Sequence, residues 1–145
     1  MSQPGTSSLA KLIFEAEHYV NKQLDAFLKS QDRKITIESW LAMDTLSNDQ
    51  GKSMKELCDN LHINDSTLTK LIDKMVKNAL VYRRPDPKDR RKVLVYLSAR
   101  GKKLHERLSA GVDACYNDLF IDYSTEDAHM LKTLLSDFVD RSRIR

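Results

Sequence analysis

The residues of this 145-residue chain best placed to do chemistry are its cations. Ten of them, Arg83, Arg84, Lys88, Arg90, Arg91, Lys92, Arg100, Lys102, Lys103 and Arg107, share one stretch with only three acids, a local balance of +7. The whole chain carries only +3, and Leu108 to Asp140 carries −6. A basic run alone is usually a solvated face, but one this concentrated on a near-neutral chain is the footprint of a polyanion binder. Other chemistries lack such a signal. There is no glycine-rich phosphate loop, no nucleophile elbow and no carboxylate pair set in a motif, so an enzyme is not expected. Cys58 and His62 would share a face of any helix that reached both, yet a metal would need further ligands, and His18, His105 and His129 are scattered. Neither a metal site nor a cofactor is expected. Cys58 and Cys115 are too few for a disulfide scaffold and suit a reducing compartment.

The elements that must position these cations follow from composition and periodicity. With 41% hydrophobic residues, 31% charged, 4 Gly and 3 Pro, the chain is neither collagenous nor disordered. No apolar run nears the ~20 residues of a membrane span, and Met1 to Ser8 lacks the pattern of a signal peptide. The expectation is a soluble, mostly α, cytoplasmic protein forming one domain over residues 1–145. Leu9, Leu12, Ile13, Ala16, Val20, Leu24, Phe27 and Leu28 make one helical stripe. Thr36 to Leu46 reads as a second helix with Ile37, Trp40, Leu41 and Leu46 inward. Ser53 and Glu56 form the pattern of a capping box ahead of a short helix from Met54 to about Asn60. Asn64 is an N-cap for another helix, whose inward stripe is Leu68, Leu71, Ile72, Met75, Val76 and Ala79. Two helices so closely joined read as a helix-turn-helix.

Beyond Leu80 the pattern becomes β. Val81 to Arg83 and Lys92 to Leu97 flank Arg84-Pro85-Asp86-Pro87-Lys88-Asp89-Arg90-Arg91, where two prolines forbid a helix and favour a charged hairpin tip. Asp86 and Asp89 read as salt-bridge partners of the tip arginines. Ser98 caps the next helix, with the stripe Leu104, Leu108, Val112, Cys115 and Leu119, and Ser124 begins the last, with Leu131, Leu134, Leu135, Phe138 and Val139 on its apolar face. A hairpin after a helix-turn-helix is a wing. Such a unit offers its second helix to the major groove and its tip to the minor groove, where arginine is favoured. Ser66, Thr67, Thr69, Lys70 and Lys74 on that helix, and Arg84, Asp89, Arg90 and Arg91 in the wing, are the candidate DNA-binding residues. Hydroxyl and ammonium donors there suit bases or phosphates.

The run Arg83 to Ser98, followed by Gly101, resembles the signature of the multiple-antibiotic-resistance regulator (MarR) family of transcription factors. The pattern is arginine, two spaces, aspartate, two spaces, aspartate, one space, arginine, then an alternating strand. Ser98 stands where threonine is commoner, which keeps the capping hydroxyl. The resemblance covers roughly residues 9 to 141. It implies a homodimer joined through residues 9–30 and 99–141, with 36–98 as the winged helix-turn-helix lobe. It implies Arg91 as the minor-groove arginine, with Asp89 holding its guanidinium, on a pseudo-palindromic DNA site.

A repressor relieved by a small, often anionic aromatic effector is the usual arrangement in that family. The resemblance places the effector between dimer helices and lobe, where Phe14, His18, Trp40 and His105 are the candidates. The sensing cysteine of redox-responsive relatives lies in the first helix, which has none here. Two other readings stand beside this one: a winged helix that pairs with protein, and a regulator that senses through cysteine or metal.

Overall fold

Leu28, Met43, Leu57, Leu68, Ile72 and Leu108, drawn from five helices, are fully buried and meet in one core. The computed structural model describes residues 5–145, so the reading of Met1 to Ser8 lies partly outside the described residues. The order is α1 (Thr6–Gln31), α2 (Ile37–Thr45), β1 (Lys52–Ser53), α3 (Met54–Leu61), α4 (Asp65–Lys77), β2 (Val81–Pro85), β3 (Val93–Leu97), α5 (Ala99–Leu119) and α6 (Thr125–Ile144). The architecture is the mostly α winged helix expected, with a three-stranded antiparallel sheet in the order β1-β3-β2. β2 and β3 pair from Val81 opposite Leu97 to Pro85 opposite Val93, which carries the tip away from the core.

Each helix after the first starts at a side-chain cap. Thr36, Ser53, Asn64, Ser98 and Ser124 accept from the amides of Ser39, Glu56, Thr67, Gly101 and Asp127. Such caps satisfy backbone donors the helix cannot. The reciprocal box lies at Thr36 and Ser39, not at Ser53 and Glu56 as the sequence suggests. Ser53 belongs to β1, and its hydroxyl bonds the Glu56 carboxylate at 3.2 Å instead. β1 itself, two residues opposite Val95 and Leu94, is too short to leave an alternation signal.

Other departures follow from packing. Leu41, read as inward, is exposed, while Ala42 and Met43 are buried, because α2 is wedged among α1, α3, α4 and α5 and buries more than one stripe. Ala79, read as part of the α4 stripe, lies beyond the helix in the left-handed region at φ 60° and is exposed. On α1 only the C-terminal part of the stripe, Leu24 and Leu28, is buried; Leu9 and Leu12 are exposed. The whole apolar face of α6 is exposed in the single chain, Leu134 at 62% and Phe138 at 53%.

Gly101 and Gly111 cost α5 helix propensity, and the structure explains both. A Cβ on Gly101 would stand 2.2 Å from the Leu80 carbonyl oxygen and 2.7 Å from Leu97 Cδ1; one on Gly111 would first meet the Phe27 ring, 2.1 Å from its Cζ. Gly→Ala inside a helix ordinarily stabilises by ~1 kcal/mol. At Gly101 the sign reverses, since rigid backbone cannot yield and overpacking costs about 1–3 kcal/mol. Denaturant unfolding of Gly101→Ala is expected to show a lower midpoint than the parent, and a midpoint at or above the parent's would contradict this packing.

Candidate nucleic-acid interface

The recognition helix α4 is oriented by what it hides. Leu68, Ile72 and Met75 are buried, and Leu71 and Val76 are half-buried. Ile63 packs on the core just before the Asn64 cap, so it and Leu68 sit where a hydrophobic staple requires. This turns Ser66, Thr67, Thr69, Lys70 and Lys74 out to solvent. Spacings of three and four place Ser66, Thr69, Lys70 and Asp73 together on one side of the exposed surface. Thr67, Leu71, Lys74 and Asn78 flank the other, along a cavity of about 340 Å³.

The hydroxyls here are partly committed. Ser66 Oγ donates to Asn64 Oδ1 at 2.9 Å, and Thr69 Oγ1 donates to the Asp65 carbonyl at 2.8 Å. Lys70, Lys74 and Lys77 are the ammonium donors of this helix. α3 stops at Leu61, and His62 takes the left-handed conformation at φ 55°, so Cys58 and His62 do not share a helix face. The Cys58 thiol donates to Asp65 Oδ1 at 3.1 Å, which with burial holds it above the ordinary thiol range. Burial pushes Cys115 up as well. A thiol held protonated is a poorer nucleophile. Among the described residues no group of three or more His, Cys, Asp or Glu could hold a metal ion.

In the wing, Asp89 Oδ1 accepts from the Arg91 amide at 3.1 Å and from Arg91 Nε at 3.3 Å. One carboxylate oxygen thus fixes both the tip backbone and the start of the guanidinium, while the Arg91 side chain stays 92% exposed. Arg84, Lys88, Arg90 and Lys92 are exposed around it. Asp86 differs from expectation: its carboxylate accepts from the Lys88 amide at 2.9 Å and holds the turn, not an arginine.

The sequence missed Arg83 as a positioning residue. Its Nη2 lies 2.6 Å from Asp73 Oδ1 and ties β2 to the recognition helix. The two stand ten residues apart, and only the crossing of helix and strand brings them together. The basic run is also divided. Lys102 pairs with Asp49 at 2.5 Å, which raises its pKa, and Arg100, Lys103 and Arg107 line a groove on α5 with Asp32.

Of the effector candidates, only two come together. Trp40, buried, stacks on His105 with centroids 4.8 Å apart, and His105 Nε2 meets Asp44 Oδ1 at 2.8 Å. Phe14 and His18 lie on the exposed part of α1, where His18 meets the Tyr19 ring edge-on. None of the four lines a described cavity. The 340 Å³ cavity instead has an apolar lining of Ile35, Leu71, Met75, Leu80 and Leu104, with the cations Lys34, Lys74 and Arg100 and the acids Asp32 and Glu38 beside it.

The comparisons agree with this geometry. Residues 35–93 match the MarR family profile. The transcriptional regulator SarZ of Staphylococcus aureus is 24% identical over 94% of this chain and 90% of its own. Mutant MarR from E. coli in complex with operator DNA superposes with a TM-score of 0.82 at 23% identity, covering 94% of this chain and 99% of that one. NadR in complex with 4-hydroxyphenylacetate gives a TM-score of 0.78 at 25% identity, covering 95% of this chain and 96% of that one. Helix-turn-helix, wing and flanking helices together give this chain the fold of the MarR-family winged-helix transcription regulators, to which it is similar and whose profile its residues 35–93 match.

Proposed function

We propose that two copies of this chain bind a pseudo-palindromic duplex operator and repress transcription until a small anionic effector releases them. The observation that carries this is the pairing of an exposed wing-tip Arg91, held by Asp89, with an outward α4 surface bearing Lys70 and Lys74. Arg83 bonded to Asp73 keeps the two at a fixed distance. In this reading the wing arginine enters the minor groove, Arg84 and Arg90 meet phosphates, and Ser66, Thr67, Thr69 and Lys70 face the major groove. No described helix is long and apolar enough to cross a membrane, and a regulator works where the DNA lies; we place it in the cytoplasm.

Duplex binding is tested by selection from random DNA, followed by titration at several salt concentrations. Arg91→Ala is expected to weaken operator binding about tenfold or more, in line with ~1–3 kcal/mol for a good specific contact. Asp89→Ala should weaken it less, and Lys70→Ala should reduce the salt slope by about one unit if it removes a phosphate contact. An Arg91→Ala protein that folds normally and binds like the parent would show the basic tip to be only a solvated face.

Dimerisation rests on α6, which buries no side chain yet carries Met130, Leu131, Leu134, Leu135, Phe138 and Val139 exposed together, and on exposed Leu9 and Leu12 of α1. Apolar area of this extent on a small chain marks an interface. Sedimentation is expected to give a dimer at micromolar concentration. Phe138→Asp should give a folded monomer with much weaker operator binding, and a monomeric parent would overturn the proposal.

For the effector we favour the cavity beside Lys34, Lys74 and Arg100 over the Trp40 and His105 region, where the rings close on each other. Its apolar lining suits an aromatic ring and its cations a carboxylate. Thr67 and Lys74 belong both to its wall and to the proposed DNA face, so ligand and operator would compete. Hydroxylated aromatic carboxylates such as 4-hydroxyphenylacetate are expected to release operator DNA. Arg100→Ala should raise the concentration required about tenfold or more, as for a lost hydrogen bond to a charged group of ~1.5–3 kcal/mol. Unchanged sensitivity in that variant would move the site elsewhere.

A further inference from the structure

The hydrogen bonds within α4 decide what its hydroxyls have left to offer. The Thr67 backbone N–H donates to Asn64 Oδ1 at 2.8 Å, so that atom is the amide oxygen and not its nitrogen. Ser66, bonded to the same oxygen at 2.9 Å, must then be the donor. Thr69 bonds a backbone carbonyl, that of Asp65, which can only accept. Each hydroxyl has one proton, and both protons are used inside the helix. Both side chains are nevertheless exposed, on the side of α4 that also carries Lys70 and Asp73. Ser66 therefore presents lone pairs and no donor. Thr69, with its oxygen turned back onto the preceding turn, presents its γ-methyl.

We infer that Ser66 and Thr69 are specificity-determining residues that read DNA as an acceptor and as a methyl group. This rests on the proposal that α4 enters the major groove. The edges complementary to them are distinct. An acceptor selects the exocyclic amine of adenine or cytosine, and a methyl packs against the C5-methyl of thymine. Guanine offers only acceptors in the major groove, so neither Ser66 nor Thr69 is complementary to it. Turning the Ser66 or Thr69 proton toward DNA would break a bond already made within the helix. Ser66 and Thr69 thus read each half-site as one acceptor and one methyl, not as hydroxyl donors.

The test uses the full chain and the duplex recovered by selection, with single-base analogues placed in both half-sites. Deoxyuridine replaces each thymine in turn, removing only the methyl. Purine deoxyriboside replaces each adenine, and pyrimidin-2-one deoxyriboside each cytosine, removing only the amine. The parent is expected to lose affinity at one thymine per half-site, about fourfold for one buried methyl at ~0.8 kcal/mol. Thr69→Ser should bind the thymine and deoxyuridine forms equally. The parent should also lose affinity at one amine per half-site, and Ser66→Ala should no longer distinguish that pair. Because each readout is a ratio on one protein, any change in folding cancels. Parent binding indifferent to every deoxyuridine, or Thr69→Ser that keeps the discrimination, overturns the methyl reading. Loss of sensitivity to 7-deazaguanine in Ser66→Ala overturns the acceptor reading, since it would show the hydroxyl donating. Duplex binding that falls with salt but selects no sequence overturns this inference alone, whereas absence of any duplex binding overturns the proposed function with it.

Discussion

Two carbonyl groups, those of Ala79 and Leu80, set the relation among recognition helix, wing and α5. Ala79 stands at φ 60°, where a residue with a Cβ costs roughly 1–2 kcal/mol, and the Leu80 amide turns back to the Met75 carbonyl at 2.9 Å. The chain then enters β2 at once. From the far end of the hairpin, Ser98 closes on the same point. Its amide donates to the Leu80 carbonyl at 2.9 Å and its hydroxyl to the Ala79 carbonyl at 2.6 Å. The same hydroxyl oxygen accepts from the Gly101 amide and so caps α5. One serine thus joins the end of one helix to the start of another, and Gly101 lets α5 approach closely enough for it to do so. The Ser98 hydroxyl alone makes both side-chain bonds of this junction.

That junction limits what the surface ion pairs are for. An exposed pair such as Arg83 with Asp73 contributes about 0–1 kcal/mol to stability, too little to explain the fold. Its use is geometric: the junction fixes the wing at its base, and the ion pair fixes it again further out on β2. Asp89 repeats the logic at the tip, where Arg91 would otherwise sample many rotamers before meeting a groove. An arginine ordered in advance loses less entropy on binding. By contrast Lys102 is neutralised by Asp49 at the foot of α5. The positive stretch visible in the sequence is therefore several pieces with different surroundings, and its sum of charge says little about any one of them.

What could be read from the sequence was whatever is encoded within a few residues. The caps at Asn64, Ser98 and Ser124, the proline-bounded tip and the Leu68, Ile72, Met75 stripe all depend on neighbours along the chain, and each stands where periodicity puts it. What was hidden depends on residues distant in sequence. β1 exists only because β3 offers an edge to Lys52 and Ser53. Ala42 and Met43 are buried because α2 meets several helices at once, which no single stripe can express. The Asp73 and Arg83 pair needs the α4–β2 crossing. A cavity is not encoded within a few residues either, since it arises from gaps between elements, here among the loop after α1, α2, α4 and α5.

The same dependence on neighbours links stability to recognition at the start of α4. A helix needs its first amides satisfied, and Asn64 does this for Thr67 through its side-chain oxygen. That act fixes the orientation of the amide, which in turn fixes the direction of the Ser66 proton. A serine or threonine cap would satisfy Thr67 equally well but would leave the direction of a bond to Ser66 free to reverse. With asparagine it cannot reverse, because the oxygen that holds the backbone has no proton to give. On the proposed DNA face, then, the bonding character of Ser66 follows from the capping requirement of the helix that carries it. A substitution at Asn64 would change helix stability and base preference together.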